Sequence, residues 1–256
     1  MQTKTLAAEL SYIGTDFHGF ARQQGLATIQ GALEDALATV FRHPVETVGA
    51  GRTDSGVHAY GQVVSFQLEA DELANRQLSS LVNSLNALTP DSILIRSIAE
   101  KPEGFSARFS AVSREYRYRI VVGDIPPLFI APFAWWLSGG YINVSLMQEA
   151  ADLLVGEHDF RSFCVAGSAQ DRSTVREISS INIFGMDHLG ESCIVVQVIG
   201  NAFLHSMIRI MVGTLAEVGL GRRDPQWLAE VLAAENRQAA GQTAPAQGLT
   251  LWRVRY

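Results

Sequence analysis

Residues 49–69 read "GAGRTDSGVHAYGQVVSFQLE", and the strand-like residues after the glycines decide the fold. In residues 49–58 three glycines, Thr53 and Ser55 surround one carboxylate, Asp54, with Arg52 and His58 close by. From Gln62 the chain alternates, placing Val64, Phe66 and Leu68 on one side of a strand. A glycine-rich turn that binds dinucleotides carries a third glycine and opens a helix. This one lacks that glycine and opens a strand. A dinucleotide-binding fingerprint is excluded here.

Working outward, "TLAAELSYI" (residues 5–13) reads as a strand. A helix comes next from Thr28 to Arg42, with Leu33, Ala36, Leu37, Val40 and Phe41 on one face. Beyond the quoted stretch, a second helix begins near Asp71 and buries Leu78, Leu81, Val82 and Leu85; "SILIRSIA" (92–99) closes as a strand. The order is strand, helix, strand, strand, helix, strand.

The second half repeats that order with longer loops. "SREYRYRIVV" (113–122) is a strand, and a proline-rich excursion occupies residues 123–140. Ser145 and Gln148 have the spacing of a capping box for the next helix. "VREISSINIFG" (175–185) and "ESCIVVQVIG" (191–200) form a hairpin-like pair. A helix spans Phe203 to Val218, another starts at Asp224–Pro225, and "LTLWRVRY" (249–256) ends as a strand. Each half suits the ferredoxin-like pattern. The expected class is α+β: two ferredoxin-like halves, residues 1–104 and 105–256, form an extended antiparallel sheet with helices on one face and a central cleft.

A chain of 256 residues with 47% hydrophobic and 18% charged residues can bury a large core. Its most apolar run, residues 202–220, carries Arg209 and Glu217 and reads as a core helix, not a membrane span. The N-terminus shows no secretory pattern. Cys164 and Cys193 are far apart, without metal or disulfide spacing, so a reduced, cytoplasmic setting is expected. The net charge of −6 argues against nucleic acid. The arginines of "RFSAVSREYRYR" (108–119), interleaved with Tyr116 and Tyr118, argue for it locally.

Asp54 reads in two ways: as a carboxylate held for chemistry, or as a turn residue capping its own backbone. Arg209 interrupts an apolar helix and cannot lose its charge, so it must reach a carboxylate, carbonyl groups or solvent. With spacing as the guide, His205 lies one turn away on the same stripe. Tyr116 and Tyr118 face the same way, either as core or as rings for an unstacked base. Asp54 and His58 find no companion cluster for a metal.

Together these motifs resemble the bacterial tRNA pseudouridine synthase A family. "YIGTDFHGFARQ", "TIQGALEDAL", "AGRTDSGVHAYGQV", "FSARFSAVSREYRYRI", "LVGEHDFRSF", "GNAFLHSMIRIMVGTL" and "AQGLTLWRVRY" carry the likeness over nearly the whole chain. Phe20 stands where the family pattern has tryptophan, and the "APFAWWLSGG" region is extended. The resemblance implies conversion of uridine to pseudouridine in the tRNA anticodon arm, around positions 38 to 40. It implies no cofactor, no metal and a homodimer. It makes Asp54 the essential carboxylate and pairs it with Arg209. It implies that Tyr116 stacks on the target base and Leu249 packs on its other side, with Arg52 and Phe105 as further substrate-binding residues. Whether Asp54 attacks C1′ or removes a sugar proton stays open. Two rival classes are a non-catalytic RNA-binding module and a carboxylate-dependent hydrolase of small molecules.

Overall fold

The strand after the glycine-rich loop runs through the core of the first of two structural units. A computed structural model describes residues 3–74, 76–165, 167 and 173–256. The first unit takes in the chain to Val112 together with Leu251–Tyr256, and the second is Ser113–Thr250. Among the described residues there are ten strands and six α-helices, in a mixed fold whose sheet is mostly antiparallel.

The first unit contains β1 (Thr3–Tyr12), α1 (Ile29–Phe41), β2 (Thr47–Gly49), β3 (His58–Glu69), α2 (Ala70–Leu73), α3 (Leu78–Leu88) and β4 (Ile93–Lys101). β1 pairs antiparallel with both β3 and β4, and β2 pairs antiparallel with β3. The order β4–β1–β3–β2 is that of interleaved strand–helix–strand units, the ferredoxin-like arrangement. Leu6, Ala8, Leu10, Val64, Phe66 and Leu68 are buried, as are Leu33 and Leu37 of α1 and Leu81 and Leu85 of α3. One face of the sheet therefore carries the core.

Local chemistry sets the helix ends. The Thr28 hydroxyl accepts from Gly31 N at 3.2 Å, and Arg42 ends α1 in the left-handed region at φ 62°. The helix expected from Asp71 is instead two pieces. Glu69 and Glu72 form a capping box for the short α2, and extended backbone at Gln77 (ψ 134°) starts α3 afresh.

The second unit holds β5 (Ser113–Gly123), β6 (Trp135–Ser138), α4 (Val144–Asp152), β7 (Gly156–Asp159), β8 (Val175–His188), β9 (Glu191–Gly200), α5 (Met207–Gly219) and α6 (Trp227–Ala234). β10 (Leu249–Arg255) begins there and continues into the first unit. The order β5–β9–β8–β7 is antiparallel throughout, with β8 and β9 the expected hairpin. The excursion after β5 returns as β6, which pairs parallel to it. The Glu191 carboxylate accepts from Leu128 N and Ile130 N, at 2.6 and 2.8 Å, and pins that excursion.

Two readings of this half are corrected. α4 is capped by Asn143, whose side chain accepts from Leu146 N at 3.1 Å, and not by Ser145. Gln148 ties α4 to β8, donating to Ile181 O and accepting from Ile183 N. α5 starts at Met207, because Ser206 at φ 58° breaks the helix that Phe203 was expected to open. His205 therefore precedes the helix and shares no helical stripe with Arg209.

Candidate active site

Asp54 is half-buried, and Thr53, Ser55 and Val57 beside it are held by hydrogen bonds. The Thr53 carbonyl accepts from Phe20 N at 3.0 Å. The Ser55 hydroxyl donates to Phe17 O at 3.1 Å, and Val57 N donates to the main-chain carbonyl of Asp54 at 3.1 Å. That last bond closes the turn after Asp54 through the backbone.

The segment Phe17–Phe20 can lie so close because Gly19 has φ 94° and no side chain. A Cβ there would come within 2.9 Å of the Thr53 carbonyl oxygen. Phe20, the departure from the family pattern, is 2% exposed. Its ring fills the space where a Cβ on Gly49 would sit, so it packs under the loop.

Two buried polar side chains that the sequence pattern did not single out, Tyr12 and Gln62, join the buried Thr53 of the loop. Tyr12 Oη and Thr53 Oγ1 are 2.8 Å apart, and Gln62 Nε2 donates to Gly51 O at 2.8 Å and to Tyr12 Oη at 3.4 Å. Burial pushes the Tyr12 phenol up to about 12, against the lowering effect of its bonds to Thr53 and Gln62. His58 is also buried, and its Nδ1 accepts from Gly14 N at 3.1 Å, a bond that joins β3 to the segment following β1. Arg52 is exposed. Phe105 is half-buried, its ring 4.9 Å from that of Tyr256 and 5.4 Å from Lys101 Nζ; these are packing contacts within the unit.

The second unit gathers Tyr116, Arg209 and the chain leading to Leu249. Tyr116 and Tyr118 share the buried side of β5. Tyr116 meets Phe203 edge-on at 5.1 Å, just before α5. Arg209 Nε donates to Ala244 O at 2.9 Å, so a carbonyl takes one arm of the guanidinium. The Tyr118 hydroxyl donates to Pro245 O at 2.8 Å. Its ring lies so near Gly248 that a Cβ there would be 2.5 Å from Cζ. Burial raises the Tyr118 phenol far above its usual value and the Arg209 charge only partly offsets this, so the hydroxyl remains a donor. Gly248 leads directly to Leu249, which is 6% exposed.

The arginine stripe divides by burial and partner. Arg114 is buried and donates to Asn201 O at 2.6 Å, Arg117 pairs with Glu115 at 2.9 Å, and Arg119 donates to Thr250 Oγ1 at 3.1 Å. Arg108 is the exposed one, lying over the ring of Phe109 at 5.2 Å. Arg114, Arg117 and Arg119 thus each have a partner within the unit.

Comparison with known proteins agrees with the motifs. The sequence profile described as tRNA pseudouridine synthase matches residues 8–110 and 150–256. A Brevibacillus brevis protein named tRNA pseudouridine synthase A is 43% identical over 254 residues, covering 99% of this chain and 100% of its own. Proteins of the same name from Pseudothermotoga lettingae and Frankia casuarinae are 41% and 44% identical. They cover 98% of this chain in each case, and 99% and 89% of their own lengths.

Proposed function

The chain belongs to the tRNA pseudouridine synthase family, which isomerises uridine to pseudouridine in tRNA, and on that premise we propose that Asp54 is its catalytic carboxylate. In this reaction the N1–C1′ bond breaks, the base turns, C5 bonds to C1′, the C5 proton leaves to solvent and N1 takes up a proton. The product is an isomer of the substrate, with no net oxidation or reduction. The chemistry requires a carboxylate that adds to C1′ or takes a sugar proton, and walls that keep the detached base.

The observation that carries this reading is the loop itself. Thr53, Ser55 and Val57 are bonded in place around an Asp54 that stays partly open to solvent. Such a frame fixes a reactive group within the tolerance that positioning demands. Tyr116 and Leu249 are assigned to the two faces of the target base, Arg209 to the charge that keeps the carboxylate ionised, and Arg52 to the RNA. These assignments rest on the motifs in which the residues stand. Reaching the uridine costs a few kcal/mol of unstacking, which backbone contacts to the RNA offset.

The same likeness supports a target in the anticodon arm, around positions 38 to 40, and a cytoplasmic homodimer as the working form. Chemical mapping of pseudouridine in treated tRNA and sedimentation of the purified protein test those two points. The central test uses tRNA labelled with tritium at uridine C5. The wild type is expected to release tritium to water, and Asp54→Asn to bind tRNA with release below about a thousandth of wild type. An Asp54→Asn variant with normal turnover, or one that merely loses tRNA binding, overturns the assignment.

A further inference from the structure

Gln62 stands where an apolar residue would continue the buried stripe of Val64, Phe66 and Leu68, and it is 0% exposed. An amide in such a place is costly unless its bonds are made. Here all are directed. Val63 N donates to Gln62 Oε1 at 3.2 Å, which turns Nε2 toward the loop and so toward Gly51 O and Tyr12 Oη. The Tyr12 and Thr53 hydroxyls, 2.8 Å apart, complete the chain with a bond that either can donate. Between Leu10 and Tyr12 the pairing moves from Gln62 to Ala59, so β3 carries one residue more than β1 there, a bulge beside the loop.

The chain of bonds has two ends, at Gly51 and Thr53. They flank Arg52 and stop immediately before Asp54. Thr53 is gripped a second time through its carbonyl by Phe20 N. A residue fixed at both side chain and main chain determines where the next residue starts. Three apolar side chains would pack the same volume without determining this. A fully bonded buried network rigidifies its surroundings.

We propose that Gln62, Tyr12 and Thr53 are positioning residues that set the Asp54 carboxylate for the isomerisation. The proposal rests on the reading of Asp54 as the reacting carboxylate. None of the three touches substrate in this account; they act through the loop.

The test compares Thr53→Val, which keeps the shape and loses the hydroxyl, with Thr53→Ser, which keeps the hydroxyl, and adds Tyr12→Phe. Steady-state tritium release, tRNA binding and circular dichroism are measured for each. Thr53→Val and Tyr12→Phe are expected to lower kcat about 10- to 100-fold, with KM and tRNA affinity within about twofold of wild type. Thr53→Ser is expected to return to within about threefold of wild type, as a hydroxyl-specific role requires. Wild-type kcat in both Thr53→Val and Tyr12→Phe overturns the proposal. So does a loss shared by kcat, tRNA binding and fold in both variants, because that describes a merely structural network. Failure of the underlying reading looks different: either the wild type releases no tritium, or Asp54→Asn releases it normally.

Discussion

Arg209 and Ala244 hold each other twice: Arg209 Nε donates to the Ala244 carbonyl at 2.9 Å, and Ala244 N returns a bond to the Arg209 carbonyl at 3.1 Å. The segment that contains Ala244 is itself fixed. Arg237 donates to Gly241 O and to Thr243 Oγ1, both at 3.0 Å, and Gly241 N donates to Thr214 Oγ1 in α5.

Arg209→Lys keeps the positive charge but loses the planar fork and its Nε–H. Tritium release is expected to fall about 100-fold, with tRNA affinity within about threefold of wild type, since the loss is one of orientation. Turnover close to wild type in Arg209→Lys would show that charge alone suffices at this position.

Tyr118 and Gly248 support the same segment. Tyr118→Phe deprives the Pro245 carbonyl of its donor and is expected to cost about 1–2 kcal/mol of stability. Gly248→Ala drives a methyl group into the Tyr118 ring and is expected to cost about 1–3 kcal/mol. Because the two residues are in contact, urea unfolding of the double variant should depart from the sum of the singles by about 0.5 kcal/mol or more. Simple additivity would count against a shared strap.

The arginines between Arg108 and Arg119 should separate by salt dependence. Each phosphate neutralised adds about 0.7–0.9 to the slope of log affinity against log salt. Arg108→Ala is expected to lower that slope by about this amount. Arg119→Ala is expected to leave the slope alone and to cost about 1–2 kcal/mol of stability through its lost bond to Thr250. A reduced slope in Arg119→Ala, measured by tRNA binding across a salt series, contradicts the division.

His43 and Glu72 supply a pH dependence on the surface. His43 Nε2 lies 2.6 Å from Glu72 Oε1, and Nδ1 lies 2.9 Å from Pro44 O. Two acceptors favour the doubly protonated ring, so the Glu72 bond first, then the Pro44 carbonyl, raise His43 above its ordinary value. The bond to His43 in turn lowers Glu72. The histidine contribution is complete below the unfolded value of about 6.5 and is lost as pH rises through the raised folded value. The carboxylate contribution is present above its unfolded value of about 4.3 and is lost as pH falls through the lowered folded value. The pair therefore acts between those two folded values. Proton NMR should place the His43 midpoint above about 6.5. His43→Gln should flatten the fall in melting temperature on going from mildly acidic to alkaline solution, and an unchanged profile would rule the pair out as its source.

Periodicity and end chemistry made much of this fold legible. Thr28 and Arg42 bound α1 because a hydroxyl cap and a left-handed stop are local devices. The alternation of β3 and β5 survives because one face of each strand is buried. What could not be read depends on partners remote in sequence. Gln148 has the spacing of a cap, yet its partners are Ile181 and Ile183 of β8. Ser206 gives no sign in its type that it will adopt φ 58°, so the apolar run misplaces the start of α5. Of the candidate site, Asp54 stands out by its glycine frame. Gln62 reads as an ordinary strand residue, and only the folded pairing of β1 with β3 turns it toward the loop.

The split of β10 between the units has a consequence for how the protein is made. Residues 251–256 belong with the chain before Ser113. Trp252 stacks on Tyr60 at 4.6 Å, Arg255 O accepts from Val112 N, and the Tyr256 hydroxyl donates to Ala107 O. On the ribosome, those six residues emerge after the whole of the second unit. The nascent first unit, Asp54 loop included, must wait through that synthesis with one edge of its sheet unpaired, the interval in which a chaperone or a stray strand can reach it.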